Sequence, residues 1–525
     1  MVGGVRRYLG DAGPRGTAVA RIAVSLSLLL VLAHHLDTPV LAAGQPAALY
    51  RPVGAAWLVP HAHVTPATLG ALLVVALAAT VAALVGWHTR GAYAVAYLGT
   101  LTLVSVSYSF SMAWSHGEAV TFLAGLPLLL APLGDAWSAD AARRATATAA
   151  RCPAATPPAA MSAIPPAAAS ATPPAAASAT PTASTAAPAG GDPPTAAPTG
   201  GPPPAVPASG PRYGIPLRGA QALVALYFFH VLYGRLAAAG TAWALSENLR
   251  HILSLRFLVV GEAPPWLARQ ALDHGGLARA LAAADLLLLA APLCLLPLLR
   301  HRTARLLAAG AVTAVALGWT TVYGLFGGEA VPLGALFLRV GGTAAPRPSA
   351  PGQWPWRVRA TAALVGAAVL AQAGAGWAGG ERRLRAYPFT ATAVYPRLYG
   401  PVEYRLTVRT RPVLSPALRD RVRLLYTGPV ANRCVAWQRA GRIDAEYRAM
   451  HGRRLEEVTV WAQRWDVTGG RAAVLGTVPW VTWRPGAACP ASTGPPHRAP
   501  SGAAAPVPAR RPGQVAARGR AARNG

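Results

Sequence analysis

Long apolar runs dominate the first 380 residues of the chain. Nine of them reach or approach the length of about 20 residues that a helix needs to cross a bilayer, at 22–36, 66–86, 91–112, 118–134, 219–238, 277–298, 303–324, 326–341 and 359–378. They predict an all-α polytopic membrane bundle. Because the run at 326–341 is short, the pattern allows nine transmembrane helices, or eight with this run re-entrant.

The first run also resembles a secretory signal peptide. Arg6, Arg7 and Arg15 precede it, and residues 40–43 have the small side chains of a cleavage site. A signal peptide would account for this run alone, whereas many similar runs follow. We therefore favour a retained first helix.

Two other patterns divide the chain. Residues 141–212 are almost entirely Ala, Pro, Thr, Ser and Gly, which predicts a disordered linker because such a segment buries no core. Apolar and polar residues alternate at 402–408 and 458–461, as in strands. The predicted domains are two halves of a membrane module (1–140 and 213–380), the linker (141–212), a small β-rich or α+β extramembrane domain (385–486) and a basic disordered tail (491–525).

Composition supports a membrane protein. Charged residues make up 13% of the 525 positions, whereas an ordinary soluble domain has about 25%. All 48 basic residues are arginine, and the net charge is +29. The arginines flank the apolar runs, which favours the lipid bilayer as the partner and argues against nucleic acid. The absence of lysine excludes a lysine base or nucleophile.

The arginines also predict an orientation. The basic turns at 88–90 and 300–302 fall on one side of an alternating bundle, and this side is expected to be cytoplasmic. Nine spans then place the C-terminal domain outside, whereas eight place it inside. Cys434 and Cys489 both lie in that domain, and they could pair if it is exported.

Three stretches together resemble the HTTM family, the membrane module shared with vitamin K-dependent gamma-carboxylases. The first combines WSHGE at 114–118 with GDAWSAD at 134–140. The second is YFFHVLYGRL at 227–236, followed by Trp243, and the third is YPFT at 387–390. The resemblance covers about residues 15–390, interrupted by the linker, and it implies a bacterial multi-pass protein of the cell membrane.

The resemblance also implies roles for two residues. The carboxylases deprotonate reduced vitamin K with a membrane-embedded lysine, assisted by a histidine. The lysine position falls on Arg235 and the histidine position on His116. Arginine stays protonated at physiological pH, so gamma-carboxylation is not expected. Arg235 instead suits binding of a phosphate or carboxylate.

Three residues are candidates for proton transfer. His116 and Glu118 open the apolar run at 118–134, where an imidazole can transfer protons near neutral pH. The alternative is a pair that only stabilises the start of the helix. Asp285 lies within an apolar helix, where a carboxylate is costly and faces a partner or a cavity. It is either a relay or ligand group, or the structural partner of Arg279.

The predicted ligand-binding residues are Arg235, His230, Tyr233 and Trp243. His230 and Tyr233 lie one turn apart on the predicted Arg235 helix, so they are able to share a face. The alternative is that both are ordinary core residues.

Other histidines indicate no metal site. His34 and His35 point about 100° apart on a helix, so together with Asp37 they are interpreted as interfacial anchors. His61 and His63 lack nearby Asn or Asp partners. No metal is predicted, and the cofactor is unknown.

The expected function is that of an HTTM-type membrane protein acting on a lipid, quinone or peptide. The alternative is a non-catalytic membrane partner of a secreted peptide, serving its maturation, immunity or transport.

Overall fold

The structure is a computed structural model of the whole chain. It describes residues 12–43, 45, 47, 50–110, 116–151, 210–259, 262–325, 327–338, 355–375, 388–389, 398–400, 402–415, 418 and 433–489. Most of the predicted linker and the whole predicted tail lie outside these residues, so their disorder stays a prediction. Of the motif at 387–390, only Pro388 and Phe389 are described.

The described part of the chain is mainly helical. Its α-helices of ten or more residues are α1 (Pro14–His34), α2 (Pro66–Val85), α3 (Thr89–Phe110), α4 (His116–Gly125), α5 (Ala139–Arg151), α6 (Pro211–Ala239), α7 (Gly275–Leu295), α8 (Arg302–Thr321), α9 (Trp356–Ala375) and α10 (Arg433–His451). Shorter helices between α6 and α7 form the predicted polar connection at 239–276.

Six helices in the described residues are long and apolar enough to cross a membrane: α1, α2, α3, α6, α8 and α7 extended to Leu298. The membrane bundle is therefore supported, but eight or nine spans are not confirmed. The run at 326–341 forms a 3-10 helix of 10 residues, Gly328–Phe337. At a rise of about 2.0 Å per residue, it falls short of a hydrocarbon core of about 30 Å.

The bundle has an inner and an outer layer of helices. The apolar windows of α1 and α3 are 61% and 67% buried inside the protein, whereas that of α7 is 17% buried. Helix α1 packs against α2 and the 3-10 helix Gly328–Phe337, while α7 packs against α6 and α8. Because α7 is apolar but mostly uncovered, it is suited to contact lipid.

The two halves of the membrane module join at one end of the bundle. The backbone N–H of Gly210 donates to the carbonyl of Ala12 at 3.2 Å. Three residues later, the Tyr213 hydroxyl donates to Asp135 at 2.8 Å. The N-terminal end of helix α6 is therefore bound both to the beginning of the first half, at Ala12, and to its end, at Asp135.

The C-terminal region contains a three-stranded antiparallel sheet in the order β1 (Val402–Arg411), β2 (Glu457–Asp466), β3 (Ala473–Trp483). Helix α10 packs on β2 and β3, and Val458, Val460 and Ala462 are buried. The predicted strands at 402–408 and 458–461 lie within β1 and β2, as alternation with period two requires. The C-terminal region, expected to be β-rich or α+β, thus contains a small antiparallel sheet, and a disulfide joins Cys434 and Cys489.

This region lies at the end of the bundle opposite the basic turns. Leu32 near the end of α1 and Phe110 at the end of α3 share a buried cluster with Ala440 of α10. Arg51 lies 3.7 Å from Glu446 in an ion pair. The turn at 88–90, by contrast, joins the other ends of α2 and α3, so the basic side and the C-terminal sheet are separated by the length of the helices.

We predict that Cys434 and Cys489 form a disulfide on the outer side of the membrane. Loop-closure entropy for a separation of 55 residues corresponds to about 4 kcal/mol of stabilisation. In a Cys152→Ser, Cys294→Ser background, an impermeant maleimide should label intact cells only after an impermeant reductant is added. Labelling without the reductant, and only in permeabilised cells, would place reduced cysteines in the cytoplasm and contradict the prediction.

Candidate functional site

An ion pair inside the bundle connects α6 with α7. The guanidinium of Arg235 donates to the carboxylate of Asp285, and the Tyr323 hydroxyl donates to the same carboxylate at 2.9 Å. The side chain of Arg235 is 0% exposed and that of Asp285 is 12% exposed. The pair thus opens to the surroundings on the Asp285 side.

Trp243 completes this cluster because the chain reverses after α6. The helix ends at Gly240, whose φ of +57° is easily adopted by glycine. The returning segment places the Trp243 ring under Arg235, with 4.2 Å between the guanidinium carbon and the ring centroid. Such cation–π stacking stabilises a desolvated arginine by about 2 kcal/mol.

The structure therefore brings together three of the predicted residues, Arg235, Trp243 and Asp285. The alternative partner of Asp285, Arg279, lies instead 4.0 Å from Glu247 and is 54% exposed. Six residues at about 100° each place Arg279 roughly 240° around the helix from Asp285. The two side chains consequently point away from each other.

His230 and Tyr233 make contacts elsewhere. The His230 Nδ1 atom lies 3.2 Å from the amide of Gln372 on α9. Tyr233 is 59% exposed and stacks on Phe229. Since one side chain is buried and the other exposed, they do not share a face, and their ligand-binding role stays a prediction.

A second polar cluster surrounds Glu118. Its carboxylate accepts from the Tyr108 hydroxyl at 2.7 Å, and the His35 Nε2 atom lies 3.1 Å and 3.2 Å from its two oxygens. The other ring nitrogen of His35 lies 3.0 Å from the Thr38 hydroxyl. Glu118 is wholly buried and hydrogen-bonded.

The contact with His35 differs from the interfacial anchoring expected for His34 and His35. His35 is 6% exposed, whereas His34 is exposed. His116 begins α4, but its side chain lies outside the described residues. The predicted pairing of His116 with Glu118 is therefore not tested, and its catalytic role stays a prediction.

The sequence did not predict that His35, Tyr108 and Tyr323 belong to these clusters. A signal existed for His35, because one of two adjacent histidines at a helix end can face inward. Tyr323 is 38 residues from Asp285, and no local spacing indicates this contact.

The predicted family motif at 134–140 forms a turn connection. Asp140 accepts from the backbone N–H groups of His88 and Thr89 at 3.0 Å and 2.8 Å, and from the Thr89 hydroxyl at 2.7 Å. Nearby, Ser138 donates to the carbonyl of Gly134 at 2.7 Å. Burial of Asp140 raises the pKa of its carboxyl, but the hydrogen bonds from Thr89 and His88 outweigh burial and lower the pKa.

Arg21 binds the same turn from α1. Its guanidinium donates to the carbonyls of Leu133, at 2.9 Å, and Trp137. A Cβ at Gly86, which has a φ of +80°, would lie 2.3 Å from the Cβ of Ser138. Backbone conformation and close approach therefore both require glycine at position 86. The motif holds α1, α2, α3 and α5 together at the basic end of the bundle.

The described residues contain no group of three or more His, Cys, Asp or Glu side chains that could hold a metal ion. The clusters instead offer hydrogen-bond donors and acceptors within apolar helices. No known protein family, curated protein or solved structure matches the chain.

We predict that Arg235→Met destabilises the protein by about 3–5 kcal/mol, because it leaves the Asp285 carboxylate buried without its cation. The double variant Arg235→Met, Asp285→Leu should recover most of this loss. Thermal unfolding in detergent measures both effects. Arg279→Met removes an exposed arginine and is the matched control. Additive effects of the two single substitutions would contradict a coupled pair.

The second prediction concerns pH. Because the pKa of Asp140 is lowered in the folded protein, its contribution to stability is complete above the unfolded pKa of about 3.9 and is lost as the pH falls through the folded pKa. Asp140→Asn should cost about 1 kcal/mol at pH 7, since the carboxylate is partly exposed. Unfolding curves at pH 7 and pH 3 should show the difference shrinking, whereas a pH-independent difference would exclude this role of the charge.

Proposed function

We propose that this chain is an integral membrane protein of the HTTM type that binds a lipid or quinone within its helical bundle. Six apolar helices are compatible with an integral membrane protein. The motifs at 114–118, 134–140 and 227–236 support the family assignment.

The observation that carries the proposal is the cluster of Arg235, Asp285, Tyr323 and Trp243. Ionisable side chains within a membrane are rare, and they mark ligand sites, ion pathways or proton relays. Asp285 lies on α7, the helix least covered by protein, and its side chain is partly exposed. A hydroxyl group arriving from the lipid can therefore donate a hydrogen bond to the Asp285 carboxylate.

The same cluster argues for binding rather than carboxylation chemistry. Arg235 is paired with a carboxylate and carries a permanent charge, so it does not remove a proton from a substrate. Its position holds the Asp285 carboxylate, which is partly exposed on α7. A neutral polar head with an apolar tail suits this site better than a second anion, because Asp285 already supplies a negative charge.

The alternative function is that of a non-catalytic membrane partner of a secreted peptide, serving maturation, immunity or transport. It is favoured by strand β3, whose first seven residues are exposed. Val474, Leu475 and Val478 are each more than half exposed. An extended peptide binds such an edge by adding a strand.

Ligand retention tests the leading proposal. The full chain is purified in lipid nanodiscs with added diacylglycerol, a neutral lipid with a hydroxyl group, and menaquinol, the reduced form of a quinone. The retained amounts are measured by mass spectrometry. Asp285→Asn and Tyr323→Phe should each lower retention of one of these ligands about tenfold, because each removes a hydrogen bond that involves a charged group. Asp273→Asn, which changes an exposed carboxylate, is the control.

The variants also separate the two functions. If wild type and both variants retain the same small amount of each ligand while remaining folded, the lipid or quinone function is excluded. A partner of a secreted peptide would in that case depend on β3, and Val478→Arg would impair it while Tyr323→Phe would not.

A further inference from the structure

Glu329 is a carboxyl group buried without a hydrogen-bond partner. It is the second residue of the 3-10 helix Gly328–Phe337 and is 0% exposed. Neither of its carboxylate oxygens has a partner among the residues that the structure describes. An ionised carboxylate in such surroundings is costly enough that the group takes up a proton instead.

Other polar groups lie on the helices packed around it. The 3-10 helix packs against α1, α4, α6 and α8. Ser25 on α1 and Thr121 on α4 are both 0% exposed. Their hydroxyls, like the Glu329 carboxyl, have no partner within the described ranges. The helices packed around Glu329 therefore carry further buried polar groups.

Two titratable groups act electrostatically on Glu329. They are Glu118 of α4 and Tyr227 of α6. Glu118 is bound by His35 and Tyr108, whereas no described side chain donates to Glu329. The two buried carboxyl groups thus differ in their side-chain hydrogen bonds.

No cation on the packed helices is paired with Glu329 in the described part of the chain. Arg21 of α1 binds backbone carbonyls near the basic end of the bundle. Arg302 and Arg305 lie at the N-terminal end of α8, and Arg305 binds the carbonyls of the preceding turn. On α6, the guanidinium of Arg218 donates to Gln221, and Arg235 is paired with Asp285. A negative charge on Glu329 is therefore compensated by a proton.

We propose that Glu329 is a proton-binding site within the bundle, and that the charge of Glu118 controls how firmly the proton is held. Proton uptake forms one O–H bond on Glu329 and removes one negative charge from the core. Loss of that proton to solvent leaves two carboxylates that repel each other. The site thus provides a proton-dependent response that does not rely on the proposed lipid or quinone binding.

Infrared spectroscopy of the full chain in nanodiscs tests the site. At pH 7 the wild type should show the carbonyl stretch of a buried protonated carboxyl, and Glu329→Gln should lose it. Glu262→Gln, which alters an exposed carboxylate paired with Arg256, should retain it. In Glu118→Gln, the band should disappear at a pH different from that of wild type. Because one negative charge has gone, this pH should be lower by about one unit or more.

A band that is absent from wild type, or unchanged in Glu329→Gln, would overturn the assignment. A band whose titration is identical in wild type and Glu118→Gln would overturn the control by Glu118. Both readouts follow the carboxyl itself, so a merely structural role of Glu329 does not produce them.

Unfolding temperatures supply a second measurement if Glu329→Gln folds poorly at one pH. A group that holds its proton more firmly when folded contributes stability at low pH, and this contribution is lost as the pH rises. The wild type should therefore lose stability between pH 5 and pH 9 relative to Glu329→Gln. A difference that does not vary with pH would contradict proton binding.

Discussion

The structure depends on how charge is compensated inside an apolar bundle. Arg235 pairs with Asp285 across 50 residues of sequence, and His35 meets Glu118 across 83. Each contact joins elements that are far apart in sequence. A charged side chain in a medium of low dielectric constant is stable only when it is paired, whatever the sequence separation of its partner. Neutralising these charges therefore also decides which helices lie side by side.

The helices were largely predictable, because apolar runs of sufficient length have few alternatives in a membrane. The runs at 66–86 and 303–324 match α2 and α8 to within a few residues. The short run at 326–341 was ambiguous because of its length. Its helix has only ten residues, which do not reach across the hydrocarbon core, so it is not a candidate span. Strand positions within the C-terminal region followed from alternation, whereas the order of the strands had no local signal.

The candidate site was predictable only in part. Arg235 and Trp243 came from one motif, and Asp285 came from the cost of a carboxylate in an apolar helix. Their convergence was not predictable, because helix periodicity gives the direction of a side chain but not which helix lies opposite. The same periodicity could have excluded Arg279 as the partner of Asp285. Tyr323 and Glu329 lie near the ends of apolar runs, where a polar residue usually indicates nothing more than a boundary.

The contacts at the start of α6 have a consequence for how the chain is allowed to vary. Gly210 and Tyr213 are held by Ala12 and Asp135, so the second half is docked on the first by its own surface. These contacts do not involve the residues between 151 and 210, and the entropy of closing a loop grows slowly with its length. Mutation can lengthen, shorten or recompose this stretch at little energetic cost. The two halves should therefore assemble even when they are made as separate polypeptides.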